Sequence, residues 1–578
     1  MTTILQRKDS SQSAQVNFSE LVSPLLQRIY SSRNACCDVD VDYQLKNIEQ
    51  PYSLKGLIDA TDLLVLAMRE QQRVLIVGDF DADGATSCAL SILALKAMGL
   101  QQVNFLVPNR FEYGYGLTPE IVDVAREYQP DLIVTVDNGI ASVDGVAHAK
   151  SLGFKVIVTD HHLPPNVLPA ADAIVNPNQQ GCEFPSKNLA GVGVIFYLLS
   201  ALRSRLRQLN WFVEQAIVEP NMASYLDLVA LGTVADVVPL DRNNRTLVHQ
   251  GIQRVKAGKA RPGILALLEV AGKNYQRLTS QDFGFIVGPR LNAAGRLDDI
   301  SLGIQCLLTD DVALARELAA QMDGLNRERR SIEASMQAEA LASLNTLTFD
   351  ESELPWGLCL LEENWHQGVV GILASRIKDK YHRPVIAFAE VDDDTIKGSA
   401  RSIPGLHIRD ALDMIATQNP EILQKFGGHA MAAGLSIERK NFTRFAQLFD
   451  QVVRGLLTQD LLQEILLTDG ELSTREISLH NAHALAAAGP WGQQFPEPIF
   501  NGCFNLMSQR IVGEKHLKMT LGFLDDPQKI IDAIAFNVDV DCWPNADARQ
   551  INIVYQLSIN EFRGNETEQL IIRHIEVV

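Results

Sequence analysis

One stretch constrains this chain more than any other: residues 74 to 84, Val-Leu-Ile-Val-Gly-Asp-Phe-Asp-Ala-Asp-Gly. The run from Val74 to Val77 has the length and β-branched content of a buried strand. It breaks at Gly78 into three aspartates, Asp79, Asp81 and Asp83, closed by Gly84. Three carboxylates at alternate positions repel one another unless a cation sits among them. In an extended turn that spacing lets Asp81 and Asp83 face one cavity. A solvated acidic turn is the bland alternative. A calcium-binding EF-hand loop opens with the same pattern, but its twelfth position, which needs a bidentate Glu, is Leu90 here. A strand also precedes the motif where an EF-hand requires a helix. The choice between turn and metal site therefore depends on what other segments supply.

Leu132 to Val136 reads as a second buried strand, ending in Asp137-Asn138-Gly139, and Val156 to Val158 as a third, ending in Thr159-Asp160-His161-His162. The apolar segment Leu228 to Val234, taken as a matching strand end, leads into Ala235-Asp236. Helical patterns such as Ala85 to Met98 alternate with these strands, which predicts a doubly wound α/β domain with a mostly parallel sheet. Ligands of such sheets sit beyond the carboxyl ends of the strands. Asp79, Asp81, Asp83, Asp137, His161, His162 and Asp236 form a carboxylate-rich set with imidazole and no thiolate. That set favours Mn²⁺ or Mg²⁺ over structural zinc. Seven potential ligands exceed what one ion needs, and two ions roughly 3.5–4 Å apart are the usual arrangement for phosphoryl chemistry.

A chain of 578 residues exceeds what one hydrophobic core spans, which predicts three or more domains. Hydrophobic content of 46% with 21% charged residues is that of a soluble globular protein. The start lacks the apolar core of a signal peptide, and the longest strongly apolar uncharged stretch, Asn188 to Leu202, is too short to span a bilayer. The expectation is a cytoplasmic protein with no membrane contact. Scattered cysteines with no Cys-x-x-Cys pair argue against a zinc knuckle and a disulfide framework. A net charge of −19 counts against nonspecific nucleic-acid binding over the whole surface. Residues 241 to 300, with ten Lys or Arg against five acids, are a locally basic exception.

Residues 1 to 50 are polar and poorly periodic and read as an N-terminal extension. A turn-rich stretch from Pro108 contains Arg110. The segment Gly288-Pro-Arg-Leu-Asn-Ala-Ala-Gly-Arg-Leu places Arg290, Asn292 and Arg296 in a glycine-flanked turn, where guanidinium forks suit phosphate oxygens. A salt bridge between domains is the alternative for these arginines. From Asp311 to about Leu341, Leu314, Leu318, Met322, Leu325, Ile332 and Met336 recur at helical spacing, which predicts a long helix joining two lobes. A second α/β unit follows, with strands at Leu358 to Leu361 and Pro384 to Phe388. It contains Gly398-Ser-Ala-Arg401-Ser402 and Phe426-Gly427-Gly428-His429. The glycines let backbone N–H groups approach an anion, with His429, Arg401 and Ser402 as further donors. The tail carries short alternating strands, such as His516 to Leu521 and Asn552 to Ile559, that suggest a small β-barrel.

The motifs Asp79-Phe-Asp-Ala-Asp-Gly, Asp137-Asn-Gly, Asp160-His-His and Ala235-Asp236, in this order, resemble those of the DHH phosphoesterases. Leu189-Ala-Gly-Val-Gly-Val, Leu231-Gly-Thr-Val-Ala-Asp-Val-Val-Pro-Leu and Gly288 to Leu297 are similar to the bacterial RecJ branch. Gly427-Gly428-His429 resembles the signature of the DHH-associated substrate-binding domain. The resemblance implies an N-terminal extension (1–50), a DHH catalytic domain (51–305), a connecting helix (306–348), a DHH-associated domain (349–458) and a C-terminal OB-fold barrel (459–578). Lys515, Lys518, Arg510, Phe504 and Arg563 are the barrel's candidate DNA contacts, although aromatics in small barrels are more often core.

The activity it implies is a two-metal 5′-to-3′ exonuclease releasing 5′-mononucleotides from single-stranded DNA, in recombination, mismatch repair and base-excision repair. Its implied partners are single-strand-binding protein and a helicase. Asp81, Asp83, Asp137, His161 and Asp236 would hold two Mn²⁺ or Mg²⁺ ions, with Asp79 touching a metal or bracing the loop. His162 would contact the scissile phosphate or protonate the leaving group, with Asp160 orienting a histidine. Arg110, Arg290, Asn292, Arg296, Arg401, Ser402, Gly427, Gly428 and His429 would hold substrate. Two other classes compete. A DHH oligoribonuclease or small nucleotide phosphodiesterase would lack the long helix and barrel tail. A degenerate DNA-binding scaffold would have lost its metal ligands first.

Overall fold

A computed structural model of the chain describes residues 3–7, 16–107, 116–346, 354–423, 425–428 and 430–578. Two compact units emerge, residues 6–323 with 467–578, and residues 324–466 with 1–5. The first is built on a five-stranded parallel sheet in the order Val103–Leu106, Val74–Gly78, Leu132–Val136, Lys155–Thr159, Ala173–Val175. Every residue of Val74–Gly78 and of Leu132–Val136 is buried, as continuous apolar strands covered on both faces must be.

Register then fixes where the polar residues emerge. Gly78 pairs with Val136, and Val136 with Thr159. Asp79, Asp137 and Asp160 therefore leave three adjacent strands at the same edge, the carboxyl edge where doubly wound sheets bind ligands. Behind it the helix Ala82–Ala97 packs against Gly191–Gln208 and Leu226–Ala235.

Three expectations change. The apolar segment before Asp236 is the helix Leu226–Ala235, not a strand, and every residue from Leu226 to Thr233 is buried. A helix buried all round lacks the amphipathic period that distinguishes it from a strand. The segment bearing Arg290, Asn292 and Arg296 is also a helix, Gly288–Leu297, with Pro289 in its first turn. Its Gly295 lies so close to the Phe80 carbonyl that a Cβ has no room. Finally, residues 16–50 of the N-terminal extension are built into this unit. Its helix Pro24–Ser31 is capped by Ser23. Arg33 and Asp469 form a two-point ion pair (2.6 and 2.9 Å) with both side chains 1% exposed. Arg33 Nε also donates to the Pro496 carbonyl at 2.8 Å. Such a pair tolerates burial because its remaining polar atoms are bonded.

The tail forms a closed five-stranded barrel: Phe500–Val512, His516–Gly522, Ile530–Ala535, Asn565–Val577 and Gln550–Phe562. Phe504 is core, edge-on to Tyr555 and Phe523, and so offers no open contact, while Lys518, partly exposed, is paired with Asp532 at 2.9 Å. Arg563 lies over the ring of exposed Phe562. Much of the basic excess between 241 and 300 is taken up internally. Arg261 donates to the carbonyls of Leu307, Leu308 and Thr309, Arg245 to those of Leu240 and Asp40, and Arg277 pairs with Glu561 and Glu566 of the barrel.

The helix Val312–Thr346 matches the predicted stripe. Leu318 and Met322 are buried in the first unit, and Met336 joins the apolar cluster around Trp365, Val369 and Leu373 in the second. Leu314, counted in the stripe, is exposed. The second unit's sheet runs Lys425–Gly428, Ala432–Glu438, Thr395–Arg401, Val385–Glu390, Leu358–Leu361. Among the described residues no helix is long and apolar enough to cross a membrane.

Candidate metal centre

The acidic loop is not an extended turn. Asp81 caps the helix Ala82–Ala97, its Oδ1 accepting from the N–H groups of Asp83 (2.9 Å) and Gly84 (3.1 Å). Asp83, in the first turn, points to a different helix. Its Oδ2 accepts from Gly191 N at 2.6 Å and its Oδ1 from Val192 N at 2.9 Å, at the N-terminus of Gly191–Gln208. Two carboxylates are thus held at two helix N-termini, where the helix dipoles favour negative charge. Two glycines allow this approach. A Cβ on Gly232 would lie 2.7 Å from Asp83 Oδ1, and one on Gly191 would lie 2.5 Å from Asp137 Cβ.

Asp137 leaves its strand with φ +62°, a left-handed conformation that Asp tolerates. Asn138 fixes the turn by donating to the carbonyls of Val77 (3.0 Å) and Val136 (2.9 Å). His161 Nε2 lies 3.1 Å from Asp137 Oδ1 and 3.4 Å from Asp236 Oδ2. His162 Nδ1 is 2.7 Å from Asp160 Oδ1, while Asp160 Oδ2 accepts from Ile140 N at 2.9 Å. Three groups of ligand atoms are close enough to share a cation: Asp79, Asp81 and Asp137; Asp137, His161 and His162; and Asp83, His161 and Asp236. Asp81 and Asp83 therefore serve different groups, with Asp137 and His161 common to more than one.

The electrostatics agree. Burial pushes the Asp83 carboxyl up to about 7, reinforced by Asp81 and opposed by the Gly191 and Val192 amides. Burial, then Asp83, Asp81 and other carboxylates, push Asp137 and Asp236 well above the ordinary carboxylate range. Burial also pushes Asp160 up, but the hydrogen bond and charge of His162 outweigh it and hold Asp160 low. Desolvation lowers His162, and its contact with Asp160 outweighs that and raises it. Buried carboxylates in mutual repulsion, with Asp236 Oδ2 buried and without a hydrogen bond, are the complement of divalent cations. Hard oxygen donors with one or two imidazoles fit Mn²⁺ or Mg²⁺.

The other candidates divide. Arg290 is buried and committed: its Nη2 lies 2.8 Å and its Nε 3.0 Å from Asp323 Oδ1, and Nη1 donates to Ile286 O. That is the salt-bridge alternative, made within one unit. Asn292 Oδ1 accepts from Ala82 N at 2.7 Å and so braces the acidic loop. Arg296 sits in the last turn of the same helix. In the other unit, Arg401 pairs across the sheet with Ala432, and Gly428 with Ala433, so Arg401 and the Gly427–Gly428 strand end lie near one another. Arg401 is half-buried, desolvation lowers its pKa, and it donates to Ser399 Oγ and Ala400 O. Ser402 Oγ is bonded to Leu406 O at 2.8 Å. Gly428, at φ +143°, admits no Cβ beside Ala432. Arg110 and His429 lie outside the described residues.

Sequence reasoning missed Asn176 and Asn178. Asn178 Nδ2 donates to His161 O at 2.6 Å and Asn176 Nδ2 to His162 O at 2.9 Å, pinning the backbone of both histidines. The only signal was Asn-Pro-Asn directly after the strand Ala173–Val175. Replacing Asp160 with Asn removes the charge that orients and protonates His162. Turnover is expected to fall about 10–100-fold while Mn²⁺ binding holds, as steady-state rates beside calorimetric metal titration will read.

Comparison with known proteins places these residues in a family context. The DHH family N-terminal domain matches residues 73–233, the DHHA1 domain 355–455 and the RecJ OB domain 468–574. The chain is 53% identical over 571 residues to the single-stranded-DNA-specific exonuclease RecJ of Salmonella typhimurium, covering 99% of this chain and 98% of that one. Its fold is similar to the crystal structure of RecJ from Thermus thermophilus in complex with Mn²⁺ (TM-score 0.80, 27% identity, 99% of this chain and 79% of that one). The Mg²⁺ complex of the same protein matches with a TM-score of 0.74 and 26% identity, over 99% of this chain and 78% of that one.

Proposed function

The chain belongs to the RecJ family of DHH exonucleases, and on that premise we propose that it degrades single-stranded DNA from the 5′ end to 5′-mononucleotides by metal-dependent phosphodiester hydrolysis. The observation that carries this reading is the gathering of Asp79, Asp81, Asp83, Asp137, His161, His162 and Asp236 at the carboxyl edge of one sheet and the adjoining helix end. Two Mn²⁺ or Mg²⁺ ions bound there supply Lewis acidity and activate water for attack on phosphorus.

The protein's own groups do the rest. Asp83 and Asp81 are held rigid at two helix N-termini, so the charge they offer is fixed in advance. His161 and Asp137 bridge the groups. Asp160 holds His162 through Nδ1 and favours its protonated form, so a proton given to the leaving oxygen comes from Nε2. The domain limits of this reading are 1–50 for the N-terminal extension, 51–305 for the DHH domain, 306–348 for the connecting helix, 349–458 for the DHH-associated domain and 459–578 for the barrel. The last two would bind the strand, through Arg401, Ser402, Gly427, Gly428 and His429 in one and exposed Phe562 and Arg563 in the other, with Arg110 and Arg296 adding backbone contacts. On this reading the enzyme works in the cytoplasm in recombination, mismatch and base-excision repair, with single-strand-binding protein and a helicase as partners.

Digestion of end-labelled single- and double-stranded DNA with and without Mn²⁺ or Mg²⁺ tests the reading. The expected result is metal-dependent loss of the single strand, with mononucleotides from the 5′ end. Chelator-insensitive cleavage would sink it. A rate indifferent to strands longer than a few nucleotides would favour an oligoribonuclease-like enzyme instead.

A further inference from the structure

Asp236 is the one member of the metal set that the sheet does not deliver. It caps the helix Leu226–Ala235, and the residue after it, Val237, has φ +62°. A β-branched residue in the left-handed region is an outlier that persists only where the surroundings over-determine it. Val237 does not anchor itself, since it is 63% exposed.

The anchor lies three residues on. Leu240 N donates to Gln493 O at 2.8 Å, and Leu240 O accepts from Arg245 Nη1 at 2.9 Å. The Leu240 side chain is buried against Gly492, where a Cβ would lie 2.6 Å from Leu240 Cδ1 and 3.1 Å from Cγ. Gly492 and Gln493 belong to a strap, residues 489–496, that leads into the barrel. The strap is itself fixed. Trp491 stacks on Phe495 with ring centroids 5.2 Å apart, and Arg245 lies 4.1 Å over Phe495. Ser280 Oγ donates to Trp491 O at 2.6 Å, and Gly492 and Phe495 exchange backbone hydrogen bonds.

We infer that this strap is a positioning element of the metal centre: by gripping Leu240 it enforces the turn at Val237 and so sets Asp236 beside His161. Gly492 and Leu240 are positioning residues that touch neither metal nor DNA. This rests on the reading of Asp236 as a metal ligand.

Calorimetric titration of Mn²⁺ into the full chain without DNA tests it, because that readout is independent of turnover. Asp236→Asn comes first and should weaken binding; if it does not, the ligand reading falls and this inference with it. Gly492→Ala drives a Cβ into Leu240 and should raise the Mn²⁺ dissociation constant about tenfold, the low end for groups that act through a ligand. Adding Val237→Gly removes the cost of the left-handed turn and should recover most of the affinity. Ile553→Ala, in the barrel core, should lower the melting temperature and leave the dissociation constant unchanged. If Gly492→Ala does not fold, Leu240→Ala probes the same contact from the other side, with the same expected rise. An unchanged constant in the strap variants overturns the inference. So does an equal rise in Ile553→Ala, or the absence of recovery with Val237→Gly.

Discussion

Replacing Asp137 with Asn lowers exonuclease activity by about 10³-fold or more and raises the melting temperature of the metal-free protein. Asp137 belongs to two of the three ligand groups, so losing its charge weakens both of them at once. Asn keeps the volume that Gly191 accommodates and tolerates the left-handed φ, so the local fold survives. Without cations the same carboxylate is a liability. Burial pushes its pKa up, and Asp83, Asp81, Asp236 and Asp79 push it further. Neutralising it relieves that repulsion, which is the trade of stability against activity expected where function needs a strained cluster. Steady-state rates with Mn²⁺, beside thermal melts in chelator, read both effects. Wild-type activity, or a melting temperature in chelator no higher than wild type, would refute the account.

The second large effect is a pH dependence that metal removes. In chelator the protein loses stability as the pH rises from about 4 to about 7, and saturating Mn²⁺ flattens the slope. An acid whose pKa is raised on folding is still protonated in the native state where the unfolded chain has already released its proton. Its stabilising contribution is therefore present at low pH and lost as the pH climbs through the native value, about 7 for Asp83 and also raised for Asp137 and Asp236. Every tenfold difference in acidity between the folded and unfolded chain is worth ~1.4 kcal/mol, so the combined loss is of the order of a few kcal/mol. Asp160 acts with the opposite sign, because its native pKa is depressed. Its contribution is lost only below the ordinary carboxylate range, so the two windows do not overlap. Melts across this range with chelator and with Mn²⁺ decide it; parallel profiles would mean the cluster does not titrate as described.

The sheet and its ligands were legible because two local signals coincided. A run of β-branched residues ended in Asp or His three times, and parallel pairing in register made those ends neighbours. Asp236 was found as a residue but placed on the wrong element, since a helix buried on all sides has no polar face to betray its period. Asp81 and Asp83 were read as facing one cavity, because sequence spacing does not say that a helix starts between them. Arg290 illustrates a different gap. A guanidinium in a glycine-rich motif looks like a phosphate fork, and its buried partner Asp323 lies 33 residues away on another helix. Asn176 and Asn178 leave only the faint mark of Asn-Pro-Asn after a strand, because a side chain that holds a backbone carbonyl answers to geometry and not to any spacing pattern.

The first unit is assembled from both ends of the chain, with residues 324–466 inserted between them. A ribosome that has just completed the inserted unit has made every candidate metal ligand but none of the strap, and Arg33 still lacks Asp469. Domains generally fold as they emerge, yet in this one the Arg33–Asp469 pair and the Leu240–Gln493 contact form only once the tail is translated. A chain ending at residue 466 carries Arg33 without its counter-charge and the Asp236 turn without the strap contact at Leu240.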